Sequence, residues 1–387
     1  MDNTTQPISV VIDGNFLWHT EYSIYTNYGK SDGKFNNDRD QVAFVVGAAN
    51  KLLHSVNSLP RTGKVIFCMD SKSWRKTVEI EGGEYKGSRE RKDGSKGTMD
   101  RETKEVFYKL MDEFANLLND KGIITTRILG AEGDDLLYLW SKRLNAIGHN
   151  CIIITGDRDM SQCVSGNAAP WTVVWNGSTA KGRMYTAPGW REKWLHDMNN
   201  DVFDFSMSGA KDGMLRLIRD SSIELEYINT DAFAFTKVIV GDSGDDVPSV
   251  WTREKNERTY KVTEKKVTEI MESLGPLDNW MAAIDDSQFV DNLSGMILRI
   301  MKDVDGTDER KPIVDRIYRN RRLMWLDHSV IPEKLINDVD LHITESLAKP
   351  NPGTLNRKFL LGGTRFEAPN IAPSAFDPYK FMDLPEL

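Results

Sequence analysis

Cys151-Ile152-Ile153-Ile154-Thr155, followed by Gly156-Asp157-Arg158-Asp159, decides how the chain is read. An apolar, β-branched run ends abruptly on a glycine and two acids. Such a run reads as a strand buried on both faces, with polar groups beyond its carboxyl end. Three upstream segments have the same form. Ser9–Asp13 (SVVID) stops at Asp13, and Lys64–Asp70 (KVIFCMD) stops at Asp70. Ile123–Ile128 is followed by Glu132, Asp134 and Asp135. Helical periods lie between these runs. Arg39–Val56 repeats Val42, Val45, Val46, Ala49, Leu52, Leu53 and Val56 at three- and four-residue steps. Asp100 caps a helix with Phe107, Leu110, Phe114, Leu117 and Leu118 on one face, and a helix over Glu132–Ile147 stops at Gly148. Strand alternating with helix predicts an α/β fold, a mostly parallel central sheet flanked by helices.

Downstream, Trp171–Trp175 and Arg183–Thr186 predict a hairpin around Asn176-Gly177. From Phe233 the pattern is helical, through Thr263–Leu274, Phe289–Met301 and Ile313–Leu326. Ser71–Asp100 is poor in apolar residues and rich in charge, which predicts an exposed, mobile segment. Residues 349–387, rich in Pro, Gly and Asn, predict an extended tail. The expected organisation is a catalytic domain over 1–247 with a basic segment at 71–100, a helical region over 248–348, and the tail.

Of the 387 residues, 40% are apolar and 28% charged, a globular balance. No apolar run approaches the roughly 18 residues of a membrane span, and the N-terminus has no secretory leader, so a cytoplasmic protein without membrane contact is expected. The three cysteines are odd in number, and Cys68 and Cys151 fall in predicted strands, which implies reduced thiols. No close His/Cys spacing suggests zinc. The net charge of −8 excludes a bulk polyanion binder, so any nucleic-acid contact must use local basic patches.

The acids carry the functional signal. In an open parallel sheet the crevice beyond the carboxyl ends of the strands is where ligands bind. Asp13, Asp70, Glu132, Asp134, Asp135, Asp157 and Asp159 should converge there. Gly241-Asp242-Ser243-Gly244-Asp245 adds two more acids, three apart on a turn. Singly, an Asp after a strand is usually a turn former or helix cap, and acids opening a helix complement its dipole. Together they repel, and a bound cation makes the cluster favourable. Oxygen-only ligands select Mg²⁺, with Mn²⁺ as a substitute, and the number of acids suggests two ions. The segment after Asp70 supplies the opposite charge: Trp74-Arg75-Lys76, then Tyr85-Lys86-Gly87-Ser88-Arg89-Glu90-Arg91-Lys92. Aromatic residues beside bases point to phosphates and unstacked nucleobases. A metal cluster with a basic flap means phosphodiester chemistry.

These residues resemble the 5′ nuclease (flap endonuclease) superfamily, a PIN-like fold, and within it the T-even phage ribonuclease H branch. The matching stretches are VVIDGN at Asp13, IFCMDSKSWRK at Asp70, EYKGSRE at Lys86, AEGDDLLYLW at Glu132, IIITGDRDMSQ at Asp157 and VIVGDSGDDVPSV at Asp242. The resemblance implies a phage-type, Mg²⁺-dependent 5′→3′ exonuclease and flap endonuclease in replication or repair, in the host cytoplasm. Its substrates would be DNA and RNA–DNA duplexes with 5′ ends or flaps. A single-strand-binding protein or sliding clamp would dock through the C-terminal region. The resemblance assigns Asp13, Asp70, Glu132, Asp134 and Asp157 to a first ion and Asp159, Asp242 and Asp245 to a second. Asp157 lies between the two, and Asp135 also belongs to the cluster. It places Lys86 on the scissile phosphate, and Arg75 and Arg89 on arch positions that meet phosphate. Tyr85, Arg91 and Lys92 would touch the nucleic acid.

Three departures stand out. Gly133 replaces Ala between the acids, a change the first helical turn should tolerate. Asp246 replaces Asn and adds a charge. The family's Gly-x-Gly helix–turn–helix is replaced by Trp251–Lys261, whose Arg253, Lys255, Arg258 and Lys261 would contact duplex phosphates. Two alternatives are weighed. A PIN-type single-strand endoribonuclease would use fewer acids and lack the Gly241–Asp246 block. A non-catalytic structure-specific DNA-binding protein would be favoured by loss of an acid, and none is missing.

Overall fold

A computed structural model describes residues 6–28, 33–57, 59–81, 83–88, 99–166, 170–176, 183–192, 223–255, 258–277, 279–301, 310–352 and 355–367. Seven strands form one sheet: β1 (Ile8–Asp13), β2 (Val65–Cys68), β3 (Ile124–Thr126), β4 (Asn150–Thr155), β5 (Thr172–Asn176), β6 (Arg183–Thr186) and β7 (Glu224–Tyr227). Their order is β3-β2-β1-β4-β5-β6-β7. The first five run parallel, and β6 turns back antiparallel to β5 with Val174 opposite Tyr185, as the hairpin reading expects. β7 lies parallel to β6.

The central strands β1, β2 and β4 are mostly apolar because both faces are covered, whereas the edge strand β7, Glu-Leu-Glu-Tyr, is exposed or half-buried along its length. Ile8, Val10 and Ile12 of β1 point into one cluster with Phe67, Ile152 and Ile154. Val11 points into the other with Ile66 and Ile153. The first face is closed by α1 (Gly14–Tyr28), α2 (Asp38–Asn57) and α3 (Arg101–Asp120). Asp100 caps α3 as expected, accepting from the Thr103 amide. The second face is covered by α4 (Gly133–Ala146), α5 (Thr230–Val240), α6 (Glu264–Leu274), α7 (Trp280–Ala283), α8 (Ser287–Ile300), α9 (Arg310–Met324) and α10 (Glu333–Leu347). The helices after residue 248 thus share a cluster with the sheet. Among the described residues no helix is long and apolar enough to cross a membrane. Cys68, Cys151 and Cys163 are buried and unbridged.

Four differences from the sequence reading have physical causes. Helix α1 has mixed polar and aromatic residues, and packing holds it: Trp18 lies edge-on to Phe44 and stacked on Phe114. The described part of 71–88 is anchored rather than wholly exposed, because its few apolar residues, Trp74, Val78, Ile80 and Tyr85, all face the core while its charged residues other than Arg75 and Lys86 stay at the surface. Two strands that the sequence reading did not assign, β8 (Thr252–Lys255) and β9 (Arg258–Lys261), pair antiparallel. The start of the expected tail folds back: α11 (Arg357–Leu361) buries Leu355, Leu360, Leu361 and Phe366 against the face closed by α2 and α3.

Candidate active site

The carboxyl ends of β1, β2 and β4 open into one cavity of about 800 Å³. Eight of the nine expected acids line it: Asp13, Asp70, Glu132, Asp134, Asp157, Asp159, Asp242 and Asp245. Asp13, Asp70 and Asp157 stand at or just past the carboxyl ends of strands, Glu132 and Asp134 open α4, and Asp242 and Asp245 follow α5. Asp13 accepts from the Phe16 amide at 2.8 Å and from Thr155 Oγ1 at 2.8 Å, tying β1 to β4. Asp70 accepts from the Gly133 amide at 2.5 Å and from Asn15 Nδ2 at 2.8 Å. Asp157 caps the 3-10 helix Arg158–Cys163 by accepting from the Asp159 amide at 2.8 Å. Asp242 accepts from the Gly244 amide at 2.7 Å. A Cβ added at Gly133 would lie 2.9 Å from Asp70 Oδ1, so this glycine makes room for a ligand-bearing carboxylate.

Two ammonium groups stand among the acids. Lys86 Nζ donates to Glu132 Oε1 at 2.6 Å and lies 3.8 Å from Asp245. Lys237 Nζ bridges Asp159 at 2.9 Å and Asp242 at 2.8 Å. Lys237 is absent from the sequence reading. Its signal is a single charge inside the apolar run Phe233–Val240. Burial pushes Asp13 up to about 6 against its hydrogen bonds. Burial also raises Asp159 to about 6, although Lys237 opposes it. Asp134 is also raised well above the ordinary carboxylate range, through burial and then the charges of Asp157 and Glu132. Burial would raise Glu132 as well, but Lys86 and Arg75 outweigh it and hold this carboxyl low. The cavity therefore holds more negative charge than its two lysines neutralise.

Three candidates are placed differently from expectation. Asp135 is fully buried and points away from the cavity. Its carboxylate accepts from Arg75 Nη2 at 2.7 Å, Arg75 Nη1 at 3.0 Å, Trp74 Nε1 at 3.2 Å and the Glu132 amide at 3.1 Å. That leaves it no capacity for an ion. Arg75 lines the cavity, but its guanidinium is taken up by the same pair and by the Leu323 carbonyl at 3.0 Å, and it buttresses Glu132, 3.1 Å away. Tyr85 is 3% exposed and donates to Glu132 or Asp245, both at 3.1 Å, so it offers no stacking surface. Arg89, Arg91 and Lys92 lie outside the described residues.

Asp246 takes a left-handed backbone, φ 59°, and accepts from the Ser88 amide at 2.6 Å. Its extra charge thus serves the base of the 71–100 segment. Lys86 is also left-handed, φ 58°, and its amide donates to the Asp245 carbonyl at 2.9 Å. In the hairpin, Arg253 pairs with Tyr260 and Lys255 with Arg258 across the strands. The alternation puts Arg253 and Arg258 on one exposed face, and Lys261 on the other with Thr252 and Thr259.

Among the described residues no three acids stand as a ready-made ligand group for one ion. The donor set nonetheless fits a hard divalent cation. The acids lining the cavity are oxygen donors, no cysteine is among its lining residues, and negative charge is in excess.

Residues 9–194 match the profile of the 5′-3′ exonuclease, N-terminal resolvase-like domain. A 5′-3′ exonuclease of Buchnera aphidicola subsp. Schizaphis graminum is 23% identical over 169 residues, 43% of this chain and 52% of that protein. The chain thus spans about half the length of that curated relative. The bacteriophage T5 D15 flap endonuclease, solved in a pseudo-enzyme-product complex with DNA and metal ions, superposes with a TM-score of 0.51. It is 16% identical, over 88% of this chain and 99% of that one. The T5 D15 protein co-crystallised with metal ions gives the same TM-score, identity and coverage. At this identity the two structures share the fold. The profile match places a 5′-3′ exonuclease N-terminal resolvase-like domain over residues 9–194, the part of the chain that carries β1 to β6 and six of the eight acids lining the cavity.

Proposed function

We propose that this chain is a Mg²⁺-dependent 5′→3′ exonuclease and flap endonuclease that removes 5′ ends, 5′ flaps and RNA primers from duplexes. One observation carries the reading: eight carboxylates from separate segments line a single cavity with Lys86 and Lys237 between them. The relatives support it, one named as a 5′-3′ exonuclease and one as a flap endonuclease held with DNA and metal ions. Two Mg²⁺, held by Asp13, Asp70, Glu132, Asp134 and Asp157 and by Asp157, Asp159, Asp242 and Asp245, would supply an activated water and stabilise the leaving oxygen.

The chain's own residues do the rest. Lys86 lines the cavity, and a cation held by Glu132 and Asp245 would leave its ammonium free there. There its ammonium donates to a phosphoryl oxygen as charge develops, an interaction worth most in the transition state. Arg75 and Asp135 keep Glu132 aimed, and Asn15 fixes Asp70. Arg253 and Arg258 hold the duplex behind the 5′ end. The primer-removal role, the 1–247 catalytic unit and the docking of a single-strand-binding protein or clamp through the C-terminal region belong to the same reading.

The test is cleavage of a 5′-labelled flap and of a 5′-recessed RNA–DNA hybrid, with Mg²⁺ and with EDTA. Wild type should cut both with Mg²⁺ and neither with EDTA. Asp157→Asn should fold and be inactive. Activity near wild type in that variant would sink the proposal.

A further inference from the structure

Asn320 sits near the C-terminal end of α9 with no exposed surface. Its Nδ2 donates at 2.9 Å to the Val238 carbonyl and at 2.9 Å to the Pro248 carbonyl. These carbonyls flank the stretch Ile239–Val247, which contains Asp242 and Asp245. Only an NH₂ group can serve two carbonyls at once, which fixes the orientation of the amide. Its Oδ1 accepts from the neighbouring Arg319, at 3.1 and 2.9 Å, so the buried amide is satisfied. The neck of the loop is closed further inside the staple. Asp242 and Val247 exchange backbone hydrogen bonds of 2.8 Å each, and Ser249 Oγ donates to the Ile239 carbonyl at 3.1 Å. Gly241 takes φ 72°, and a Cβ there would lie 2.4 Å from the Val247 carbonyl oxygen and 2.6 Å from that of Pro248. The same helix end also docks the other acid-bearing segments. The Leu323 carbonyl accepts from Arg75, behind Glu132, and the Met324 carbonyl accepts from Gln162, in the 3-10 helix that carries Asp159.

We propose that Asn320 is a positioning residue that pinches the neck of the Asp242–Asp245 loop and so sets the affinity of the second cation without touching it. The proposal rests on the two-ion reading above. A buried amide whose only duty was to satisfy itself would give no selective effect on one ion. A staple across one loop must, because Asp13, Asp70 and Asp134 stand on other segments.

The test is calorimetric titration of the EDTA-stripped full chain with Mn²⁺, without substrate. Wild type should show two binding events. Asn320→Leu leaves two buried carbonyls unpaired and frees the neck, so one event should weaken by about tenfold or more while the other is unchanged. Ser249→Ala removes one hydrogen bond from the same neck and should shift the same event by a smaller factor. It carries the test if Asn320→Leu does not fold in EDTA. Fewer than two events in wild type would refute the two-ion reading. Two events in wild type, with both variants unchanged or weakened alike at both events, would refute the role of Asn320 and leave that reading standing.

Discussion

Arg75 and Lys86 lie eleven positions apart on one stretch of chain, and their surroundings give them different duties. Arg75 is 2% exposed and bidentate to Asp135, so truncating it strands a buried carboxylate. Arg75→Ala should cost about 3–5 kcal/mol of stability, the usual result of breaking a buried pair from one side. Urea unfolding checks this, and a stability within 1 kcal/mol of wild type, roughly the surface range, would return Arg75 to a phosphate-facing role. Gly133 makes an opposite forecast. Gly133→Ala should leave the melting temperature equal or higher, since Ala favours the helix. It should slow single-turnover cleavage by about tenfold, because the Asp70 carboxylate must move from a site that tolerates little misplacement. Unchanged turnover would show that Asp70 can yield without loss. None of this was legible from residue types. The acids and bases could be read, but whether Asp134 or Asp135 faced the cavity depends on one helical step, and the answer lies in the partner Arg75.

At the scale of elements, the hairpin β8–β9 stands where the resemblance implied glycines and a helical turn. Its strand register divides the four bases expected to grip duplex. Arg253 and Arg258 share a face with the exposed Tyr260, whereas Lys261 lines a groove with Gly241, Asp242 and Asp246. Phosphate contacts release counterions, so binding falls with salt at a slope near 0.9 per neutralised phosphate. Replacing Arg253 and Arg258 together by Ala should flatten the log–log salt slope for flap DNA in Ca²⁺ by about two, and Lys261→Ala should change it by less than about one. Equal effects from both faces would mean that the hairpin does not present one side to the duplex. Strands β1, β2 and β4 were legible because burial on both faces makes them apolar runs, and β7 was not, because Glu224-Leu225-Glu226-Tyr227 is exposed or half-buried along its length. Strands β8 and β9 were not, because Thr-Arg-Glu-Lys and Arg-Thr-Tyr-Lys bury little and pair mainly through backbone. Helix α1 was missed because its aromatics gain their purpose only from Phe44, Phe107 and Phe114 on other helices.

For the whole molecule, charge is gathered where the chain can least solvate it, and acid should therefore stabilise the metal-free protein. Glu21 on α1 is buried beside the face of α2 that carries Gly47 and Lys51. Burial raises it from 4.5 to about 7 against the Lys51 charge. Asp13 and Asp159 rise from 3.8 to about 6, through burial first. A carboxyl with a raised folded pKa binds its proton more tightly folded than unfolded. Its contribution is present at low pH and is lost as pH climbs from the unfolded value to the folded one. Glu132 and Asp242 are held low and act in the opposite sense below their ordinary range, and His19, His149 and His342, lowered from 6.5 by burial, oppose the trend within the window itself, against the larger rise of the buried carboxyls. Between pH about 5 and 7, stability in EDTA should therefore fall as pH rises. Saturating Mg²⁺ should remove the share due to Asp13 and Asp159, since a bound cation favours their ionised forms, and leave the share due to Glu21. Glu21→Gln should flatten what remains in Mg²⁺ and leave cleavage intact. Urea midpoints at several pH values, in EDTA and in Mg²⁺, separate the two shares. A Glu21→Gln profile parallel to wild type in Mg²⁺ would show that the buried Glu21 keeps its charge through this range, held by Lys51 more strongly than burial opposes it.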